Sequence, residues 1–529
     1  MTDTQTPHPG EITPEHTDRL DKSVLVVAGV VVLGAIMSIL DITVVSVALQ
    51  TFQQEFEATA AQVAWTMTGY TLARASVIPL TGWAADRFGT KRLYLAAVAL
   101  FTLGSVLCAT AGDLSQLVLY RVLQGLGGGM LMPLGMTILT RAAGPERVGR
   151  VMAVLGIPML LGPIFGPILG GWLIDSASWH WIFLINLPIG VLALVYAWVV
   201  LPRDSVEPSE SFDFVGMLLL SPGLASFLYG VSSIPEHGTV RANEVWIPGV
   251  VGIALIVAFV PWALRKANIH PLVELRLLKN RDMTVALIAM SLFAIAFFGA
   301  SLLFPLYFQQ VRGEDALGAG LLLAPQGVGA MLTMPLAGVL ADRTGPGKVV
   351  MAGVVVITVG MAMFTQVGAD TGYPYLLGAL FVMGLGMGAT MMPIMTAALA
   401  TLTDHNIARG STLLNIQQQV AASIGTALFS VILTNEFKES DAIGRATALA
   451  EGADGSRDPS VLAQVAQQLG IDPATIEALF ARAIVDMADS FATVFVVATI
   501  LVACCLVPAF FLPRKPADKP VDPTVLAGH

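Results

Sequence analysis

Apolar residues come in fourteen long runs separated by short polar connections, and this rhythm dominates the chain. The runs lie near 24–49, 62–83, 93–111, 114–140, 149–174, 181–201, 214–234, 245–264, 283–308, 318–340, 349–368, 373–400, 409–434 and 488–512. Crossing a hydrocarbon core takes about 20 apolar residues of helix, so each run predicts one transmembrane helix. The connections divide the chain into a cytoplasmic tail over 1–23, a six-helix bundle over 24–201 and two inserted helices with a cytoplasmic linker over 202–282. A second six-helix bundle follows over 283–512, then a tail over 513–529. The pattern predicts an all-α membrane protein with helices grouped as six, two and six.

The two bundles repeat one another. The turn Gly82-Trp-Ala-Ala-Asp86-Arg87-Phe-Gly89-Thr-Lys91-Arg92 returns in altered form as Gly338-Val-Leu-Ala-Asp342-Arg343-Thr-Gly345-Pro-Gly-Lys348, with Asp86 and Asp342 separated by 256 positions. The segment Gly125-Leu-Gly-Gly-Gly129…Met132-Pro133 returns as Gly384-Leu-Gly-Met-Gly388…Met392-Pro393, read as a repeat at 260. Internal symmetry in so apolar a chain is a mark of secondary transporters, whose substrate path lies between the repeats.

Composition agrees with the pattern: 55% of the 529 residues are hydrophobic and 12% charged, against roughly 25% charged in a soluble domain. Charge placement says more than the net −9. With the amino terminus inside, twenty of the 28 Lys and Arg fall on inner connections and six on outer ones, namely Arg241, Arg312, Lys438, Arg445, Arg457 and Arg482. This positive-inside bias predicts both termini on the cytoplasmic side of the plasma membrane. The polar first 23 residues predict no cleavable signal peptide. Cys108, Cys504 and Cys505 form neither a metal-ligand nor a disulfide pattern. No Walker sequence, nucleophile arrangement or metal cluster is present, which argues against an enzyme, a cofactor, an ATP-driven pump or a nucleic-acid partner.

Two connections are long. The segment 265–282 mixes basic residues with Leu272, Leu275, Leu277 and Leu278 and predicts a short amphipathic stretch on the inner membrane face. The outer loop 435–487 is acidic, and its Asp458-Pro459 and Asp472-Pro473 pairs predict two helix starts. A solvated insertion, a lid and a docking site for an outer-side partner are all open for it.

The first turn, Gly82-x-x-x-Asp86-Arg87-x-Gly89-x-Lys91-Arg92, resembles the signature loop of the major facilitator superfamily. In helix five, Gly156 and the run Gly162-Pro163-Ile-Phe-Gly166-Pro167-Ile-Leu-Gly170-Gly171 resemble the antiporter motif of that superfamily's exporters. With Leu40-Asp41-Ile-Thr43 in helix one and Trp179-His-Trp181-Ile-Phe183-Leu-Ile-Asn186-Leu-Pro188, the chain is similar to the fourteen-helix drug:proton antiporters of the EmrB/QacA type. The resemblance implies that superfamily's fold and proton-driven export of amphipathic compounds, with protons, a small-molecule amphiphile and the lipid bilayer as partners. It assigns proton coupling to Arg121 in helix four and closure of the cytoplasmic side to the Asp86 loop. The second loop copy departs from the pattern, with Thr344 and Pro346 where the first has Phe88 and Thr90, so only the first is expected to form a full charged clasp. The extra carboxylates that quaternary-ammonium exporters of this family often carry in the second half are missing.

Physical reasoning gives these motifs work to do. Gly162, Gly166 and Gly170 recur every four residues and line one helix face, while Pro163 and Pro167 each remove a backbone donor. Close packing with a bend suits a rocking interface between the halves; simple tight packing is the alternative. Asp86, Arg87, Lys91 and Arg92 are expected to cluster at the inner surface, with Gly82 permitting close contact.

Inside the membrane, Asp41, Arg121 and Arg74 sit at depths of roughly 12, 10 and 18 Å from the outer side, so the three are expected to share one cavity. Ionisable groups at such depth line pathways or pair with one another. Asp41 is the one carboxylate well inside any run, and so the candidate for exclusive occupancy by proton or substrate. Arg121 would hold it ionised until the two part, after which desolvation favours the neutral carboxyl and a proton enters from outside. A permanent structural bridge is the competing reading.

Repeat offsets pair Asp41 with Phe297, Arg74 with Ala330 and Arg121 with Phe381, so the second half lacks these charges. Gln326, Asn415, Gln418 and Met391 join Phe297 and Phe381 as candidates for lining the substrate cavity. One Asp against two Arg predicts a preference for neutral, zwitterionic or anionic amphiphiles over multiply charged cations. Three functions remain open: a proton-coupled exporter of drugs or other toxic amphiphiles, an exporter of a lipid, siderophore or endogenous metabolite, and a non-transporting membrane sensor.

Overall fold

The computed structural model describes residues 21–144, 147–204, 211–234, 241–400, 402–453 and 458–515. Most of the two tails, and Arg457, lie outside them. The first bundle comprises α1 (Lys22–Val47), α2 (Ala60–Phe88), α3 (Thr90–Cys108), α4 (Leu114–Ala143), α5 (Val148–Ser176) and α6 (Asn186–Val200). The inserted pair is α7 (Phe214–Ser232) and α8 (Asn243–Leu264). The second bundle comprises α9 (Arg281–Ser301), α10 (Ala324–Thr344), α11 (Pro346–Phe364), α12 (Tyr373–Gly388), α13 (Asp404–Glu439) and α14 (Ile476–Cys504). Among the described residues, twelve helical stretches are long and apolar enough to cross a membrane. The other two long helices are α2 and α5, each of 29 residues; α2 carries Arg74, Asp86 and Arg87, which lower its hydropathy.

Helix starts follow local chemistry. Thr59 and Gln62 form a reciprocal capping box before α2, and the Asp113 carboxylate accepts the Gln116 amide at 2.9 Å before α4. At the opposite membrane face α2 ends at Gly89, whose φ of 92° is a left-handed conformation, and α10 ends likewise at Gly345 with φ 89°.

Duplication is visible in the packing. Gly125 of α4 lies against the Tyr70 carbonyl of α2 and Gly129 against the Arg74 carbonyl; in the second bundle Gly384 of α12 lies against the Gln326 carbonyl of α10 and Gly388 against that of Ala330. A Cβ at any of these four glycines would collide with backbone, so the close approach of each helix pair depends on them. These contacts put α4 and α12 in register at an offset of 259, which makes Leu380, not Phe381, the counterpart of Arg121. The 260 spacing of Met132 and Met392 holds only beyond Ala389 and Thr390, where α12 breaks before the helical segment Met391–Leu399. One extra residue in that break shifts the register.

The bundles meet along two seams. On one, α5 packs against α10 and the segment Met391–Leu399; on the other, α13 packs against α2 and α4. The inserted helices pack on each other, and α7 also touches both α2 and α13, so the pair covers the second seam.

Two connections differ from expectation. In 265–282 the structure has only a 3-10 turn, Leu275–Lys279, and Leu272 and Val273 are buried beneath α7 and α8 with Leu220, Leu224 and Phe259. Leu272, Val273 and Leu275 are thus taken up by the inserted pair, whereas Leu278 and Ile269 are exposed. In the outer loop, α13 and α14 extend beyond their apolar runs and Asp441–Gly452 packs back on α14. Asp458 caps the helix Pro459–Gln468 and Asp472 caps the 3-10 turn Pro473–Thr475. The Ser460 hydroxyl and amide hold the Asp458 carboxyl below the usual carboxylate range. Both predicted starts are present in a loop that is largely helical.

Candidate functional site

Asp41 on α1 and Arg121 on α4 meet with both side chains fully buried, Arg121 Nη1 donating to Asp41 Oδ2 at 2.5 Å. Three further side chains complete a cage. Gln124, one turn along α4, donates from Nε2 to Asp41 Oδ1 at 2.7 Å and accepts from Arg121 Nη1 at 2.7 Å. Asn186, at the start of α6, donates to Asp41 Oδ1 at 3.3 Å, and Ser105 of α3 accepts from both amides, at 3.0 Å from Gln124 and 2.9 Å from Asn186. Arg121 Nε donates to the Thr66 carbonyl at 3.2 Å, and the guanidinium lies 4.0 Å from the Tyr70 ring centroid. A buried ion pair is tolerable only when its remaining polar atoms are largely satisfied. Here the two amides serve the Asp41 side of the pair and are themselves held by Ser105, while Arg121 Nη2 is buried with no hydrogen-bond partner among the described residues.

Sequence reasoning missed Gln124 and Ser105 as members and used Asn186 only for family likeness. Gln124 was findable, because a residue three positions from Arg121 lies on the same helix face. Ser105 gives no such signal, since only the fold brings α3 against α4 and α6.

Arg74 does not join this cage. Its guanidinium lies 5.6 Å from the Tyr70 ring centroid, and among the described residues it forms no ion pair with Asp41. The expected trio is therefore a pair, with Arg74 next to the Tyr70 ring that Arg121 also contacts. Depth along a helix fixes height in the membrane but not the direction in which a side chain points.

At the Gly89 end of α2 the signature loop reaches across the α2–α13 seam. Asp86 Oδ2 lies 3.3 Å from Arg409 Nε at the start of α13, and Asp86 Oδ1 lies 3.9 Å from Arg141 Nη2 of α4. Gly82 allows this approach, since a Cβ there would stand 3.2 Å from Thr412 Oγ1. Arg87, Lys91 and Arg92 do not cluster with Asp86 as expected. Lys91 Nζ donates to the Trp198 and Leu201 carbonyls at 2.7 and 2.6 Å, Arg92 is exposed, and Arg87 is half-buried. Asp204, not foreseen, caps α3 by accepting the Lys91 and Arg92 amides at 2.7 and 3.1 Å over Gly89.

The altered copy also clasps, contrary to expectation. Asp342 accepts the Gly149 amide at the start of α5 at 2.9 Å and lies 3.5 Å from Arg150 Nε. A carboxylate at a helix amino terminus needs neither Phe88 nor Thr90, so their replacement leaves the clasp intact. Gly338 and Gly149 make the backbone approach that brings the two helices together.

The glycine face of α5 also lies elsewhere than predicted. Gly162 packs against Ile39, Gly166 against Thr43 and Gly170 against Val44, all on α1, whereas a Cβ on Gly171 would meet open space. The stripe therefore joins two helices of one bundle and flanks the turn that carries Asp41. Contact with the other bundle falls to Gly149, Ala153 and Gly156, the last against Met334 and Met392. For Pro163 and Pro167 the structure describes only their helical backbone; their side chains lie outside the described residues.

The second-half candidates divide. Asn415 is at the seam, donating to Met136 Sδ of α4 at 3.1 Å and to the Ser411 carbonyl at 2.8 Å. Gln326 and Gln418 are half-buried. Phe297 is buried and stacked on Phe293 at 5.2 Å, and Met391 is buried in the core. Phe381 presents its carbonyl to Gly329 in the α10–α12 contact.

Several known proteins are similar to this chain. Residues 31–426 match the sequence profile of the Major Facilitator Superfamily. The chain is 49% identical over 520 residues to a "Multidrug resistance protein B homolog" of Mycobacterium tuberculosis, covering 97% of this chain and 94% of that one. It is 32% identical over 410 residues to "Multidrug export protein EmrB" of Escherichia coli, covering 76% and 79% of the two chains. Among solved structures, the human organic anion transporter MFSD10 superposes with a TM-score of 0.57 at 14% identity, covering 91% of this chain and all of that one. That likeness bears on the fold alone.

Proposed function

The chain belongs to the Major Facilitator Superfamily, and we propose that it is a proton-coupled antiporter exporting amphipathic drugs or other toxic organic compounds across the cytoplasmic membrane. The names of its relatives in Mycobacterium tuberculosis and Escherichia coli support the drug-export part of this reading. In it the chain crosses the membrane fourteen times with both termini inside, α2 and α5 being the spans added to the twelve candidate stretches.

The observation that carries the coupling is the buried Asp41–Arg121 pair in its cage of Gln124, Asn186 and Ser105. Arg121 stays protonated, so Asp41 is the member that can gain and lose a proton. Among the described residues, every side-chain donor to Asp41 comes from α4 or α6, while Asp41 itself rides on α1 beside the glycine face of α5. A small displacement of α1 with α5 relative to α4 and α6 therefore withdraws the donors together. Stripped of them in a low-dielectric site, the carboxylate is costly and takes a proton. Substrate that displaces α1 and a proton that neutralises Asp41 then occupy alternate states, as exchange requires. The two aspartate clasps hold the cytoplasmic side shut while that proton enters from outside. Arg74, which forms no ion pair among the described residues, gives the cavity a positive bias that favours neutral, zwitterionic or anionic amphiphiles.

The test is accumulation of fluorescent amphiphiles in everted membrane vesicles under an imposed proton gradient, comparing the native chain with Asp41→Asn. Loss of gradient-driven accumulation at unchanged protein level is the expected outcome. Undiminished accumulation in the variant would make the pair a structural bridge.

A further inference from the structure

Arg409 is held from two directions. Its Nε faces Asp86 of α2, and its Nη1 lies 3.5 Å from Oε2 of Glu274, with the Arg409 and Glu274 side chains only 9% and 10% exposed. Glu274 belongs to neither bundle. It sits in the linker after α8 and is fixed there by its own turn, accepting the Arg276 amide at 3.2 Å while Arg276 Nη1 lies 3.7 Å from its other oxygen.

The linker is rigidly attached to the inserted helices. The Asp213 carboxylate, just before α7, accepts from the Gly216 amide at 2.8 Å, Trp262 Nε1 at 2.8 Å, Asn268 Nδ2 at 3.2 Å and the Leu272 amide at 3.1 Å. One carboxylate thus ties the inner ends of α7 and α8 to the segment that presents Glu274. Leu272 and Val273 share an apolar cluster with Leu80 of α2 on one side and Leu413, Ile416 and Val420 of α13 on the other. Trp83 of α2 packs on Phe212, next to Asp213, at 4.4 Å between ring centroids. The inserted pair and its linker therefore straddle the helices that must separate for the cytoplasmic side to open.

We infer that Glu274 is a positioning residue of the cytoplasmic gate, acting through Arg409, and that the inserted helices serve as a brace that favours the inward-closed state. An Arg409 guanidinium drawn to Asp86 alone could follow α13 away from α2 at the cost of one contact. With Glu274 on its other side, opening must also break a contact to the brace. At the α5–α10 seam Asp342 instead takes a helix amino terminus and Arg150.

This rests on the alternating-access reading above, and its test needs no substrate, so it stands or falls separately from the identity of the cargo. Spin labels at Ala142→Cys and Thr403→Cys, both exposed at the inner ends of α4 and α13, are placed in the full chain with the exposed Cys504 changed to Ala, and their separation is read by pulsed electron resonance in lipid nanodiscs. Glu274→Gln, which keeps the shape of the side chain, should raise the ratio of long to short separations about fivefold, the ratio that roughly 1 kcal/mol of lost closure gives. Glu274→Asp should restore much of the native distribution, and Lys266→Gln, at an exposed charge on the same linker, should leave it unchanged. A native distribution in Glu274→Gln alongside a widened one in Asp86→Asn overturns the role of Glu274. Native distributions in both variants overturn the clasp itself.

Discussion

At Gly129 and Gly388 the two bundles make the same contact, helix backbone against the carbonyl of Arg74 in one and of Ala330 in the other, yet only the first surrounds it with charge. Around α4 stand Asp41, Arg121, Gln124, Asn186 and Ser105; the places of Asp41 and Arg121 in the second bundle are taken by Phe297 and Leu380, both buried. A common glycine scaffold therefore supports two different interiors. Backbone approach needs small residues at fixed spacing and is indifferent to what the remaining positions carry, which leaves one bundle able to hold a proton site and the other to offer apolar and amide surface. The clasps follow the same logic: both aspartates reach a helix start across a seam, but Asp86 does so through arginines and Asp342 largely through a backbone amide.

The largest expected effect breaks the comparison. Arg121→Met leaves the Asp41 carboxylate buried without its cation and should cost about 3–5 kcal/mol, whereas Leu380→Met at the equivalent place should cost less than about 1.5 kcal/mol. Thermal unfolding in detergent measures both, and the double variant Asp41→Asn with Arg121→Met should recover much of the loss. Comparable losses in Arg121→Met and Leu380→Met would mean that the charged cage adds nothing to the scaffold.

A middle-sized effect tests the scaffold itself. Gly129→Ala and Gly388→Ala each push a methyl group into a backbone carbonyl and should each destabilise by about 1–3 kcal/mol. Similar losses in the two would sharpen the equivalence of the halves; a tolerated methyl in one would show that its helices are not held by that contact.

Smallest is the effect of Phe297→Leu, a change between packed apolar side chains costing less than about 1.5 kcal/mol, with the pH dependence of export unaltered. A shifted pH profile would move part of the coupling into the second bundle.

Much of this contrast was legible in the chain. Hydrophobic runs gave the helices, and the repeated turns gave the duplication, because both are properties of consecutive residues. Asp41 and Arg121 stood out because charges are rare in apolar runs. What the chain hid was direction and register. Arg74 has the right depth but forms no ion pair with Asp41 among the described residues, and only the helix break at Ala389 and Thr390 shows where the extra residue between the 259 and 260 spacings sits. Partners supplied by distant segments, such as Ser105, Asp204 and Glu274, leave no local trace, since an isolated polar residue near a helix end reads as ordinary surface.

Proton release on adding a fluorescent amphiphile to the purified, weakly buffered protein tests the central claim most directly. If Asp41 alone exchanges substrate for proton, the native chain should release protons in proportion to the amphiphile bound and Asp41→Asn should bind it without release. Release from Asp41→Asn equal to that of the native chain would place the exchanged proton on another group and contradict the account.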